Sequence, residues 1–170
     1  MAFAYAAVLF AHSWLRWGVL ATTTLCAATS WRGWRQRRPF TPADQRRLRL
    51  CVGLVDTQLL LGVILYAGLS PITAAARLNV DAAMHNAILR FFLVEHPLAM
   101  LIGVVVLHVG GLRAKRLGDG PLRHRAVSRT VAAALLCFVI GVPWPRLPYA
   151  RPLARSIGVD ASSPQTSADR

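Results

Sequence analysis

Residues 50–69 read LCVGLVDTQLLLGVILYAGL. Asp56 is the one charged residue in these twenty positions. At about 1.5 Å of rise per residue, a helix of this length crosses the roughly 30 Å hydrocarbon core of a bilayer. Ser70-Pro71 ends it, because a residue before proline is pushed out of the helical region. The stretch reads as a membrane-spanning helix, and the rest of the chain repeats the pattern.

Three more apolar stretches follow from the same reading, at about residues 3–30, 84–111 and 126–142. The first is interrupted by His12, Ser13 and Arg16, and its arginines follow the apolar run, the reverse of a signal peptide. Composition agrees with a membrane protein. The chain is 55% hydrophobic and 16% charged, too little polar surface for a water-soluble domain of 170 residues. The expected fold class is all-α: a four-helix transmembrane up-down-up-down bundle over residues 1–145, with a polar tail, residues 146–170, expected to be disordered. In that arrangement the first and third spans are parallel and diagonal across the core.

The formal net charge of +13 raises nucleic acid as a partner. No recognition motif accompanies the charge, and the basic residues flank the apolar stretches, where headgroups and topology account for them. Seven arginines lie between Arg32 and Arg49, and a second cluster runs from Arg113 to Arg129. The positive-inside rule puts both clusters in the cytoplasm. Both termini and the connection at residues 70–82 then face the periplasm of a bacterial inner membrane. Thr41-Pro42-Ala43-Asp44 reads as a helix start, with threonine as cap, proline first and aspartate in the first turn.

Cys26, Cys51 and Cys137 are odd in number and form no CxxC or CxxCH, which disfavours a disulfide framework, a zinc ribbon and covalent haem. No nucleophile triad, phosphate-binding glycine loop or HExxH motif is present, so a soluble-type enzyme is not expected.

Ionisable groups inside spans are costly and are candidates for function. Counting about 1.5 Å per residue puts His12 and His96 each roughly 14 Å from the outer face, and Gln58 roughly 15 Å from it, with Asp56 about 3 Å deeper. Two histidines at matched depth on diagonal helices have the geometry of axial ligands to a b-type haem. His12 and His96 are therefore the expected metal ligands. Arg90 is placed to meet a haem propionate. Arg16 lies one turn from His12 on the same face, where Glu95 or Asp56 would neutralise it, and an Arg16–Glu95 structural pair is expected. Structural readings stand beside these: a buried histidine is often a hydrogen-bonded core residue, and Asp56 and Gln58 serve as bonds between helices. His108, about 18 Å deeper than His96, reads as interfacial, and His85 and His124 as surface histidines. Pro97 is expected to loosen the third span and free a carbonyl.

The segments His12-Ser13-Trp14-Leu15-Arg16-Trp17, Gln58-Leu59-Leu60-Leu61-Gly62-Val63-Ile64-Leu65-Tyr66, Glu95-His96-Pro97-Leu98-Ala99-Met100 and Val142-Pro143-Trp144 together resemble a group of small four-helix bacterial inner-membrane proteins often labelled cytochrome b-like. The resemblance covers the four spans and leaves out the tail. It implies His12, Arg16, Gln58, Glu95 and His96 as positions of interest. The chain departs at Asp56, where many relatives are expected to carry histidine.

The function expected from sequence is a membrane electron-transfer protein with one haem b, exchanging electrons with a quinone or a larger membrane complex. The alternative is a non-redox accessory or scaffold subunit of such a complex. A third possibility is a proton or metal-ion path through Arg16, Asp56, Glu95 and His96.

Overall fold

The Thr41 start signal is realised in the backbone. Thr41 Oγ1 accepts from the Asp44 N–H at 3.4 Å, and the Asp44 carboxylate accepts from the Thr41 N–H at 3.0 Å. The two side chains so satisfy amide groups that a helix end leaves open. This cap sets the helix α2, Pro42–Ile64, which follows α1, Ala2–Arg35. The computed structural model describes residues 2–154 and is all-α over that range.

α2 ends in a π-helical turn, Leu65–Leu69. Three short helices come next: α3 (Pro71–Leu78), α4 (Val80–His85) and α5 (Ala87–Arg90). The loop expected at residues 70–82 is thus largely helical. The reason is capping: Ser70, Asn79 and Asn86 each accept a backbone N–H of the turn that follows, starting three helices in seventeen residues. A second π-helical turn, Phe91–Glu95, leads into α6 (His96–Lys115), and α7 runs from Pro121 to Ile140.

Pro97 produces the irregularity expected of it. Proline has no N–H to donate back along the helix. The Leu93 carbonyl four residues earlier instead accepts from the Tyr66 hydroxyl at 3.1 Å. A residue of α2's terminal π turn thereby caps the break in the neighbouring strand of helix.

The long helices α1, α2, α6 and α7 pack in an order that places α7 between α1 and α6, with α2 on the far side of α1. α1 and α6 lie diagonally, as expected. α2 and α6 meet sparingly, so that side of the bundle is open. α7 presents Val127, Val131, Ala134 and Phe138 to the core, opposite Val19 and Cys26 of α1 and Leu107 of α6.

Two helical stretches, Pro42–Leu69 and Ala87–Lys115, are long and apolar enough to cross a membrane. The polar interruption of α1 at His12–Arg16 and the arginines in the first turns of α7 make those two helices less apolar.

Candidate functional site

The basic ends of the long helices and their two connections meet at one end of the molecule. The Phe40 N–H donates to the Asp119 carbonyl at 2.7 Å, and the Arg123 guanidinium lies 4.2 Å from the centre of the Phe40 ring. His124, expected at the surface, is instead fully buried here, packed on Phe40 with its Nε2 3.3 Å from the Pro39 carbonyl. Gly33 makes the room, since a Cβ there would come within 2.5 Å of the imidazole. The sequence offered no signal for this, because the contact depends on a glycine ninety residues away.

The histidine layer lies toward the other end. His12 of α1 and His96 of α6 face each other across the diagonal, with ring centres 6.4 Å apart and planes at 73°. The His96 Nδ1 lies 2.7 Å from the Gly141 carbonyl. A carbonyl only accepts, so Nδ1 carries the proton and Nε2 keeps its lone pair. A backbone carbonyl holding the outer nitrogen is a common way to orient a metal-binding histidine. His12 Nδ1 is buried and has no hydrogen-bond partner among the described residues. Gln58 donates to the His12 carbonyl at 3.0 Å and ties α2 to the same turn of α1. Gly62, one turn along α2, leaves space for the His12 ring, which a Cβ would meet at 3.2 Å.

The structure therefore brings together His12, His96 and Gln58, and separates the charged residues expected beside them. Glu95 does not pair with Arg16. Its carboxylate accepts from Arg90 Nε at 2.7 Å, across the π turn. Arg90 thereby pairs with a carboxylate of its own helical stretch. Arg16 donates to the Leu153 carbonyl at 2.8 Å and packs on Trp17, whose indole donates to the same carbonyl at 3.0 Å. Asp56 pairs with His108, at 3.3 Å, and so stands apart from the histidine layer.

The segment after α7 completes the site. Tyr149 stacks on Phe91 with ring centres 3.7 Å apart, Arg151 lies over Phe92, and Trp144 meets Trp17 edge to face. Phe91 and Phe92 in turn flank His96. Residues 146–154, expected to begin a disordered tail, pack over this end of the bundle; residues 155–170 lie outside the described residues. Gly141, Phe91 and Leu153 were not singled out from the sequence. Backbone carbonyls and ring stacking leave no composition signature.

Comparison with protein-family models, curated proteins and solved structures found no match for this chain. The resemblance drawn above accordingly rests on its motifs alone.

The donor set is two imidazoles, and among the described residues no group of three or more histidine, cysteine or carboxylate ligands gathers anywhere. A bare ion takes four or more ligands from protein and water. A haem would ask for fewer ligands from the chain, and His12 and His96 are the residues that would hold it. Their rings meet edge to face with centres 6.4 Å apart, a distance also usual for packed rings.

Proposed function

We propose that this chain is a multi-pass bacterial inner-membrane protein of the cytochrome b-like kind, holding one b-type haem between His12 and His96 for electron transfer. The observation that carries the reading is the His96 ring, oriented by the Gly141 carbonyl and meeting the His12 ring with centres 6.4 Å apart. The buried, unsatisfied His12 Nδ1 supports it, because a buried polar atom without a partner calls for one.

The membrane part of the reading is supported by where the apolar side chains lie. Leu60, Val63, Leu101, Val105 and Leu112 are each at least half exposed on α2 and α6. Water does not tolerate a continuous apolar surface of that extent, and lipid does. Four spans in antiparallel order then place both basic connections in the cytoplasm.

When bound, the haem supplies a one-electron carrier. The chain's own residues would hold it in place: Gly141 fixes the His96 tautomer, Gln58 braces the turn bearing His12, and Phe91 and Phe92 keep water from His96. Protein purified from haem-replete cells is expected to show a Soret band that shifts on reduction and is lost in His12→Ala and His96→Ala. A colourless preparation overturns the reading.

The bond from Gln58 to the His12 carbonyl favours a second reading, an accessory subunit of a larger membrane complex, in which the polar layer is adhesive between helices. A stoichiometric membrane partner that co-purifies with colourless protein and survives His96→Ala supports that reading instead.

A further inference from the structure

A groove runs between α1 and α7 in their basic half. α1 contributes Ala28, Trp31 and Arg32 to it, and α7 contributes Ser128 and Leu135. It holds about 510 Å³, the scale of a small-molecule site, and is open along one side. From Thr24 to Arg32 it extends about 12 Å along α1. Ala27 and Ala28 form a low floor between the taller Trp31 and Leu135.

Two hydroxyls reach the groove, and both are spent on backbone. Thr24 Oγ1 donates to the Leu20 carbonyl at 2.7 Å, and Ser128 Oγ donates to the Ala27 carbonyl at 3.2 Å. The surface left to an occupant is hydrocarbon, which suits an alkyl chain and penalises a polar solute.

The two ends of the groove differ. One carries no charge and lies deeper in the apolar part of both helices. The other carries Arg32. There Trp31 meets Trp34 edge to face with ring centres 5.0 Å apart, and the Arg125 guanidinium lies 5.2 Å from the centre of the Trp34 ring. The indole pair so brings Arg125 of α7 to the same end as Arg32 of α1. Neither arginine pairs with a carboxylate among the described residues. An apolar slot with two unneutralised guanidiniums at one end complements an amphiphile whose head is anionic.

We infer that this groove binds one phospholipid with an anionic headgroup, drawn from the leaflet at the basic end. Phosphate oxygens accept from Arg32 and Arg125, whose planar guanidiniums match them. One acyl chain lies over Ala28 toward Leu135, and Trp31 stands at headgroup level, where indoles favour the interface. A second copy of the chain in the same orientation would bring its own arginines to this depth, a like-charge contact that disfavours a dimer here. The inference rests on the membrane reading and does not use the haem.

The test is native mass spectrometry of the full chain released from nanodiscs of equal parts phosphatidylglycerol and phosphatidylcholine. The wild type is expected to retain one phosphatidylglycerol at least about fivefold more often than phosphatidylcholine, the worth of one arginine beside an anionic surface. Arg32→Gln is expected to remove most of that preference. Ala28→Leu, which fills the groove and keeps the charge, is expected to remove the retained lipid; Arg32→Gln, at an exposed position, carries the test should Ala28→Leu fail to accumulate. Arg116→Gln loses the same charge on α6 and is expected to match the wild type. His96→Ala is expected to match it too, so a failed haem reading leaves this result standing. Equal retention of the two lipids by the wild type, or an Arg116→Gln effect as large as that of Arg32→Gln, overturns the inference. So does efficient disulfide dimerisation of Ala28→Cys in a chain otherwise free of cysteine, which would mean that a second copy covers the groove. Recovery of the chain in the soluble fraction of lysed cells overturns the membrane reading and this inference with it.

Discussion

Asp44 concentrates more interactions than any other carboxylate described here. It closes the cap of α2, binds Arg38 and Arg47 through Oδ1 at 3.1 and 3.0 Å, and lies 3.8 Å from His124. It stands on the polar side of Leu50, at the basic end. Burial alone would raise its pKa, but the Thr41 N–H and the Arg38 guanidinium outweigh burial and hold it well below the usual carboxylate range. A carboxyl whose pKa falls on folding stabilises the native state above its unfolded pKa of about 3.9, and that contribution is lost as pH falls below it. Asp44→Asn is therefore expected to cost about 2 kcal/mol at pH 7, mainly from the lost charged hydrogen bonds. Thermal unfolding in detergent should show the gap between wild type and variant closing as pH drops below about 4. A gap that stays constant down to pH 3 would mean that the charge of Asp44 contributes nothing. Such a hub was half legible in sequence: the capping motif announced Asp44, while His124 was read as a surface group because its cover, Gly33 and Phe40, comes from the other side of the chain.

At the scale of elements, α6 and α7 approach closely along glycines of α6. A Cβ at Gly103 would come within 2.4 Å of the Phe138 ring, and one at Gly110 within 2.3 Å of Thr130. Small residues let helix backbones approach where lipid offers no hydrophobic force to join them. Gly110→Ala is expected to lower thermal stability by about 1–3 kcal/mol through overpacking, and Thr130→Ala in the same chain to restore part of it. Equal loss in the single and double variants would show that the two side chains do not meet. The four long helices were readable because hydrophobic length is a property of one segment. The short helices α3 to α5 were not, since each is too brief to leave a periodic pattern and is written only in its caps, Ser70, Asn79 and Asn86. The histidine layer was legible by counting residues along helices of known rise. The partners of Arg16, Glu95 and Arg90 were not, because depth alone does not tell which way a helix is turned, and the π turn at Phe91–Glu95 turns α6 locally.

For the whole molecule, the decisive quantity is where charge lies relative to the apolar belt. The α1–α2 and α6–α7 connections, with the helix ends beside them, carry most of the arginines and touch each other through Phe40, Asp119 and Arg123. They therefore belong to one side whatever the orientation. The opposite connection holds Arg77 and Arg90, and the segment after α7 adds Arg146 and Arg151 there. On the proposed membrane reading the bias favours the basic connections as cytoplasmic, since orientation follows the excess of Lys and Arg in short loops. Single cysteines make this measurable once Cys26, Cys51 and Cys137 are replaced by alanine. Leu78 is 90% exposed in the connection between α2 and α6, and Arg37 and Leu117 are exposed at the basic end. A membrane-impermeant maleimide added to spheroplasts is expected to label Leu78→Cys alone. In inverted vesicles it should label Arg37→Cys and Leu117→Cys and leave Leu78→Cys untouched. The opposite pattern would reverse the orientation while preserving the four spans. Arg37→Cys and Leu117→Cys labelling from different sides would break the antiparallel order itself, and with it the depth at which His12 and His96 meet.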